Sequence, residues 1–202
     1  MTESEQRALW LANLLQERHV YKLPVNPLRI ARAYGIRVQT ASDYISAGMD
    51  EQELFEVWGN RDGCAMAAGR DFLICYNDKQ PPNRQRFTAA EELCHILLGH
   101  VRDARFRVGT QEFDREIYLE YEREAKTAAG LLLMPASTYL RLRYAYPLQE
   151  LAWACRISED CARMTAAFIA RNEAELRAKA CPRIFHMSYE YMKPNKVYAI
   201  SV

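Results

Sequence analysis

Five consecutive residues near the middle of the chain, Glu91-Glu92-Leu93-Cys94-His95, put two carboxylates and an imidazole within little more than one helical turn. On a helix advancing about 100° per residue, Glu91, Cys94, His95 and Leu98 fall on one stripe, and Glu92 lies about 60° round from His95. Residues at i and i+4 can share one ion. Where such a pair holds a divalent metal, a glutamate between them accepts a proton from the water that the ion activates, and the water attacks a peptide carbonyl. That chemistry makes Glu91 and His95 candidate metal ligands and Glu92 the candidate general base. A glutamate at 91, where a histidine would be neutral, adds an anionic oxygen, which lowers the Lewis acidity of the ion and raises the pKa of its water. A second reading needs no metal. Thr88-x-x-Glu91 has the form of a capping box, which would start a helix at Thr88 and leave Glu91 as its third residue. Cys94 reads as a small buried residue and His100 as a polar partner for the helix C-terminus.

A third ligand has to come from another element. Glu116, Glu120, Glu122 and Glu124 crowd a downstream segment, and its apolar positions Ala125, Ala129, Leu132 and Leu133 define one face. By helical phase Glu116, Glu120 and Glu124 project away from that face and Glu122 leans toward it, where a buried carboxylate requires a cation. Glu122 is therefore the candidate third ligand. The alternative is a solvated pair between Glu122 and Lys126 at i, i+4.

The elements that would carry these residues are punctuated by proline and glycine. Ala8, Leu11, Ala12 and Leu15 mark a helix over 4–19, and Pro27 through Tyr34 a second, closed by Gly35. Residues 36–39 alternate like a strand, and 64–68 and 71–76 read as two more, joined at Gly69-Arg70. Pro81-Pro82-Asn83 opens the central helix, with Asn83 as its cap, and the spacing predicts a helix from about Arg84 to Leu98 with Gly99 as the stop. A second long helix is predicted over 113–134, shorter ones over 136–144, 147–155 and 158–179, and a terminal β-hairpin over 183–202 turning at Pro194-Asn195. There is no internal repeat or flexible linker, so 1–202 reads as one domain: a core over 1–135 and a helical and hairpin extension over 136–202.

Composition narrows the function classes. Twenty-seven basic residues against 26 acidic ones leave no excess charge to draw the chain onto phosphate backbones or anionic lipid, so nucleic-acid and membrane partners are not expected. No apolar run approaches the length of a membrane span, and the polar start is no signal peptide. Six cysteines without a CxxC pair read as reduced thiols, which places the chain in a cytoplasm.

Arg84-Gln85-Arg86-Phe87-Thr88-Ala89-Ala90, followed by Glu91-Glu92-Leu93-Cys94-His95-Ile96-Leu97-Leu98-Gly99-His100, resembles the RQRFT-x-A-HE-x-GH-x-LLGH block of the ImmA/IrrE metallopeptidases. Leu23-Pro24-Val25-Asn26-Pro27 upstream, and Tyr121-Glu122-Arg123-Glu124-Ala125-Lys126 leading to Leu131-Leu132-Leu133-Met134-Pro135 downstream, are similar to the same family. Glu122 aligns with its third ligand. Glu91 replaces the first histidine of HExxH, Cys94 a glycine, and Lys126 a frequent asparagine. The resemblance implies an α+β fold with a zincin-like metal helix packed on a small sheet and followed by helices. It also implies a zinc endopeptidase that inactivates a helix-turn-helix repressor of mobile-element or stress-response genes. With a glutamate at 91 the expected metal is weakly held zinc or none, with manganese or iron able to compete. The expected function is a peptidase-like regulator that cleaves or engages such a repressor. The alternatives are a non-catalytic protein-binding descendant and, from a loose helix-turn-helix pattern over 152–169, a DNA-binding regulator.

Overall fold

Caps written into the sequence start most of the helices. In the computed structural model, which describes residues 1–183, Thr2 and Glu5 close a capping box at the head of α1 (Glu3–His19). Asn26 caps α2 (Pro27–Ala33), with Pro27 in the first turn, and Thr40 and Asp43 box α3 (Ala41–Ser46). Asp50 caps α4 (Glu51–Trp58). Neither α3 nor α4 is among the helices expected from apolar spacing.

Between them run three short strands, β1 (Arg37–Thr40), β2 (Gly63–Ala68) and β3 (Asp71–Tyr76), in the order β1-β3-β2. β1 is parallel to β3, with Val38 opposite Ile74, and β2 is antiparallel to it, with Ala65 opposite Ile74. Both faces of the sheet are used. Ala65, Ala67, Phe72 and Ile74 point into the main core, whereas Cys64, Met66, Leu73 and Cys75 pack with Leu54 and Trp58 beneath α3 and α4. The pleat thus fixes which side of β2 faces the central helix.

That helix, α5 (Pro82–Leu97), packs on β2 and β3 and against α6 (Arg115–Leu133). It begins two residues earlier than its spacing suggests. Pro82 occupies the first turn and no side chain caps it; Asn83 instead donates its Nδ2 to the Ile157 carbonyl 3.3 Å away. Gly99 stops the helix, at φ +86°, in the left-handed region where a Cβ is strained.

α6 is the spine of the helical half. α1 lies along it, burying Ala8, Leu11, Ala12 and Leu15, and Gln16 donates its Nε2 to the Leu131 carbonyl at 2.7 Å. Beyond α6 come α7 (Ala136–Leu142), α8 (Leu148–Cys155), α9 (Glu159–Arg171) and α10 (Glu173–Lys179). The segment expected as one helix over 158–179 is two, divided at Asn172. α8 and α9 meet at Arg156, which takes a left-handed φ of 53°. The expected hairpin lies outside the described residues, Arg183 apart. Among the described residues no helix is long and apolar enough to cross a membrane. The architecture is the α+β one expected, with a central helix on a small sheet and helices after it.

Candidate metal centre

Because α5 starts at Pro82, Thr88 is a buried residue inside the helix and cannot be its cap; the capping-box reading of Glu91 fails. Glu91 and His95 share the stripe of α5 that faces α6, and Glu122 meets them from α6. One ligand atom from each of the three, Glu91, His95 and Glu122, lies within 4.8 Å of the other two. His95 Nε2 is 3.4 Å from Glu122 Oε1. Two donors about 2.1 Å from a shared tetrahedral ion sit about 3.4 Å apart, so this edge has the length that one ion requires.

What lies behind His95 decides which nitrogen it presents. Its Nδ1 is 3.1 Å from Nδ1 of His100, whose Nε2 is 3.3 Å from Glu124 Oε2. Burial holds the His100 imidazole below its usual pKa and so favours the neutral ring. A neutral His100 that donates Nε2–H to Glu124 has a lone pair left on Nδ1, which accepts from His95 Nδ1–H. With both rings neutral, two ring N–H groups serve three contacts, so one end of the chain, His95 Nε2 beside Glu122 or His100 Nε2 beside Glu124, holds a lone pair. Where the lone pair falls on His95, it and Glu122 Oε1 face each other as two acceptors, an arrangement that a shared cation satisfies, and the donor set fits a metal. Arg7 Nε, from α1, lies 3.2 Å from Glu124 Oε1, an ion-pair contact rather than a hydrogen bond.

Two expectations are corrected here. Glu124, placed on the outer face of α6 by helical phase, is 1% exposed and buried behind the site. Phase alone misses it because the turn after Gly99 carries His100 back over α6 and gives this carboxylate a partner. His100, expected to serve the C-terminus of α5, instead joins that relay. The same turn brings Phe106 onto the His95 ring, centroids 4.9 Å apart, while Tyr121 stacks on His100 at 4.0 Å. Tyr121 is pinned by its hydroxyl to Asp103 Oδ2 at 2.8 Å. These aromatic walls were not read from the sequence. Phe106 is separated from His95 by a glycine stop and two 3-10 turns, and no periodicity spans that distance.

Charge at the centre is uneven. Burial pushes the Glu91 carboxyl up to about 7, with Lys126 opposing and Glu122 reinforcing the shift. For Glu122 burial acts in the same sense, but hydrogen bonds from His95 and Lys126 outweigh it and bring the carboxyl down to about 2. Glu92 points toward the sheet. Burial, then the carboxylates of Glu91 and Glu122, raise it well above the usual range, while the Ala65 N–H of edge strand β2 donates to it. Cys94 is fully buried, as expected, and burial raises its thiol. The described cysteines are all free, and Cys64 and Cys75 stand opposite one another on adjacent strands β2 and β3.

Lys126 is salt-bridged to the triad: Nζ is 2.6 Å from Glu122 Oε2 and 3.6 Å from Glu91 Oε1. The i, i+4 pair weighed as an alternative is therefore present together with the cluster, not instead of it. The same lysine lines a cleft of about 1200 Å³ bounded by Arg84, Phe87, Met164 and Phe168.

The family model of the IrrE N-terminal-like domain (Peptidase_M78) matches residues 31–166. No curated protein matches the chain.

Proposed function

Since the chain belongs to the IrrE N-terminal-like family of metallopeptidases, we propose that it is a metal-dependent endopeptidase-like regulator that cleaves or engages a helix-turn-helix transcriptional repressor. The observation that carries the reading is the convergence of Glu91, His95 and Glu122, with the His95 ring held from behind by His100 and Glu124. In this reading these three residues hold one divalent ion, which supplies a Lewis acid that polarises a peptide carbonyl and acidifies water. Two oxygens and one nitrogen make zinc the expected ion, with manganese or iron more competitive than at a two-histidine site.

The protein groups have separate tasks. Glu92 takes the proton from the attacking water, and its raised pKa suits a group that must hold a proton and then hand it to the leaving amine. Glu92 would be a stronger acid beside a bound divalent cation, so its basicity would depend on the site being filled. His100 and Glu124 keep the His95 ring in place. Phe106 stacks on the His95 ring and shields that side of the site, where electrostatic interactions are stronger than in water.

A non-catalytic reading draws support from Lys126, whose ammonium already pairs with both carboxylates. The two separate by experiment. Protein purified without chelators is assayed for metal and incubated, with and without added zinc, with a helix-turn-helix repressor encoded next to it. Retained metal and zinc-dependent cleavage are expected, and Glu92→Gln is expected to abolish cleavage while metal stays bound. Protein that holds no transition metal after equilibration with zinc, yet binds the repressor, is the result that establishes the non-catalytic reading.

A further inference from the structure

The position of Lys126 carries more than a surface pair does. It stands one turn after Glu122 on α6, so helical geometry alone delivers its ammonium to that carboxylate. Glu91, however, belongs to α5, and the ammonium lies within ion-pair distance of it as well, bridging carboxylates on two packed helices. Glu91 and Glu122 side chains are only 14% and 20% exposed, so their mutual repulsion is poorly screened and a cation between them opposes it.

Charge arithmetic then sets Lys126 against a metal. Two carboxylates, a neutral imidazole and a divalent ion sum to zero, and that sum leaves nothing for an ammonium to neutralise. With both cations present the centre is +1, and they share the same two carboxylates at close range. Resting on the metal-site reading above, we propose that Lys126 is a resident counter-ion that competes with the divalent ion for the Glu91–Glu122 carboxylate pair. The side chain has somewhere to go: it is 47% exposed and lines the open cleft. Glu122 engages Lys126 through Oε2 and turns Oε1 toward His95, so the oxygen on the ligand edge stays free while the ammonium is seated. Filling of the site is thereby tied to the supply of free metal: at low metal the lysine holds the carboxylates, and at higher metal it is displaced into the cleft.

Lys126→Met in the full chain tests this, with zinc alone as probe, then manganese alone. Metal affinity is measured by competition titration, and thermal unfolding is followed with and without a chelator. The metal-free variant is expected to melt below the wild type, because the carboxylates have lost their counter-ion. Its zinc affinity is expected to tighten about tenfold or more, the scale on which groups beside a site act on it, with a larger zinc-induced rise in melting temperature. Lys126→Arg, which keeps the charge, is expected to stay near wild-type affinity. Equal or weaker zinc binding by the methionine variant overturns the competition and leaves the metal site standing. Binding by neither protein overturns the competition and the metal reading together.

Discussion

At position 91 a carboxylate sits nearly buried against a second one, and its titration gives the centre a measurable signature. Burial, the largest influence, holds Glu91 at about 7 against 4.5 for a free glutamate. The metal-free native state therefore binds this proton more tightly than the unfolded chain does. The contribution to stability is complete below pH 4.5 and is lost as pH rises through 7, by up to about 3 kcal/mol at 1.36 kcal/mol per unit. Glu122 acts in the opposite sense: its carboxyl, held at about 2, stabilises above 4.5 and loses that effect only in acid. Glu91→Gln in chelator is thus expected to gain stability relative to wild type between about pH 5 and 7.5, read from urea unfolding at each pH. Parallel pH profiles for the two proteins would show that Glu91 is solvated and not part of a buried cluster. Helical spacing offered Glu91, His95 and Glu122 as candidates, and the family resemblance chose them over the capping-box and Glu122–Lys126 readings; i, i+4 on one helix and an apolar face on the next are local properties, and the structure brings the three together. Glu124 and His100 escaped that logic, since their contact depends on how the chain turns after Gly99.

Elements were legible where the signal was periodic or punctuated by proline and glycine. α1, α2, α5, α6 and the three strands follow the apolar spacing within a few residues. α3 and α4 did not, being six and eight residues long, too short for a face to emerge. Their starts were nonetheless written in Thr40-x-x-Asp43 and in Asp50 ahead of Glu53, cap signals that a search led by hydrophobic period passes over. Packing between elements was not legible at all. Gly130, in the last turn of α6, looks like a weak point of a helix, yet a Cβ there would lie 2.5 Å from Thr165 Oγ1 of α9. Gly130→Ala removes a helix-disfavouring residue worth about 1 kcal/mol but forces the two helices apart, an overpacking cost of about 1–3 kcal/mol. We expect net destabilisation in denaturant unfolding, with Thr165→Ala relieving most of it, since the nearest remaining side-chain atom is then the Cβ at 3.6 Å. If Gly130→Ala stabilises the protein, α9 does not seat on α6 as closely as described.

Across the whole molecule the matched stretch and the folded unit differ. Residues 31–166 carry the sheet, α5, α6 and the candidate centre, but α1 and α10 lie outside them. α1 covers α6 with Leu11 and Leu15, satisfies the Leu131 and Leu98 carbonyls through Gln16 and Arg7, and brings Arg7 to Glu124. α1 is tied in turn to the helices at the other end of the chain: Met1 pairs its ammonium with Glu175, and Arg171 pairs with Glu5. Removing α1 strips a row of large apolar side chains from the core, each worth about 1.5–3 kcal/mol when buried, against a total stability of only about 5–15 kcal/mol. A fragment cut to residues 31–166 is therefore expected to show no cooperative thermal transition and no metal-dependent rise in melting temperature, although it contains Glu91, His95 and Glu122. A fragment that unfolds cooperatively and responds to zinc as the full chain does would mean that α1 is an accessory helix, and that the relay from Arg7 through Glu124 and His100 is not needed to hold His95.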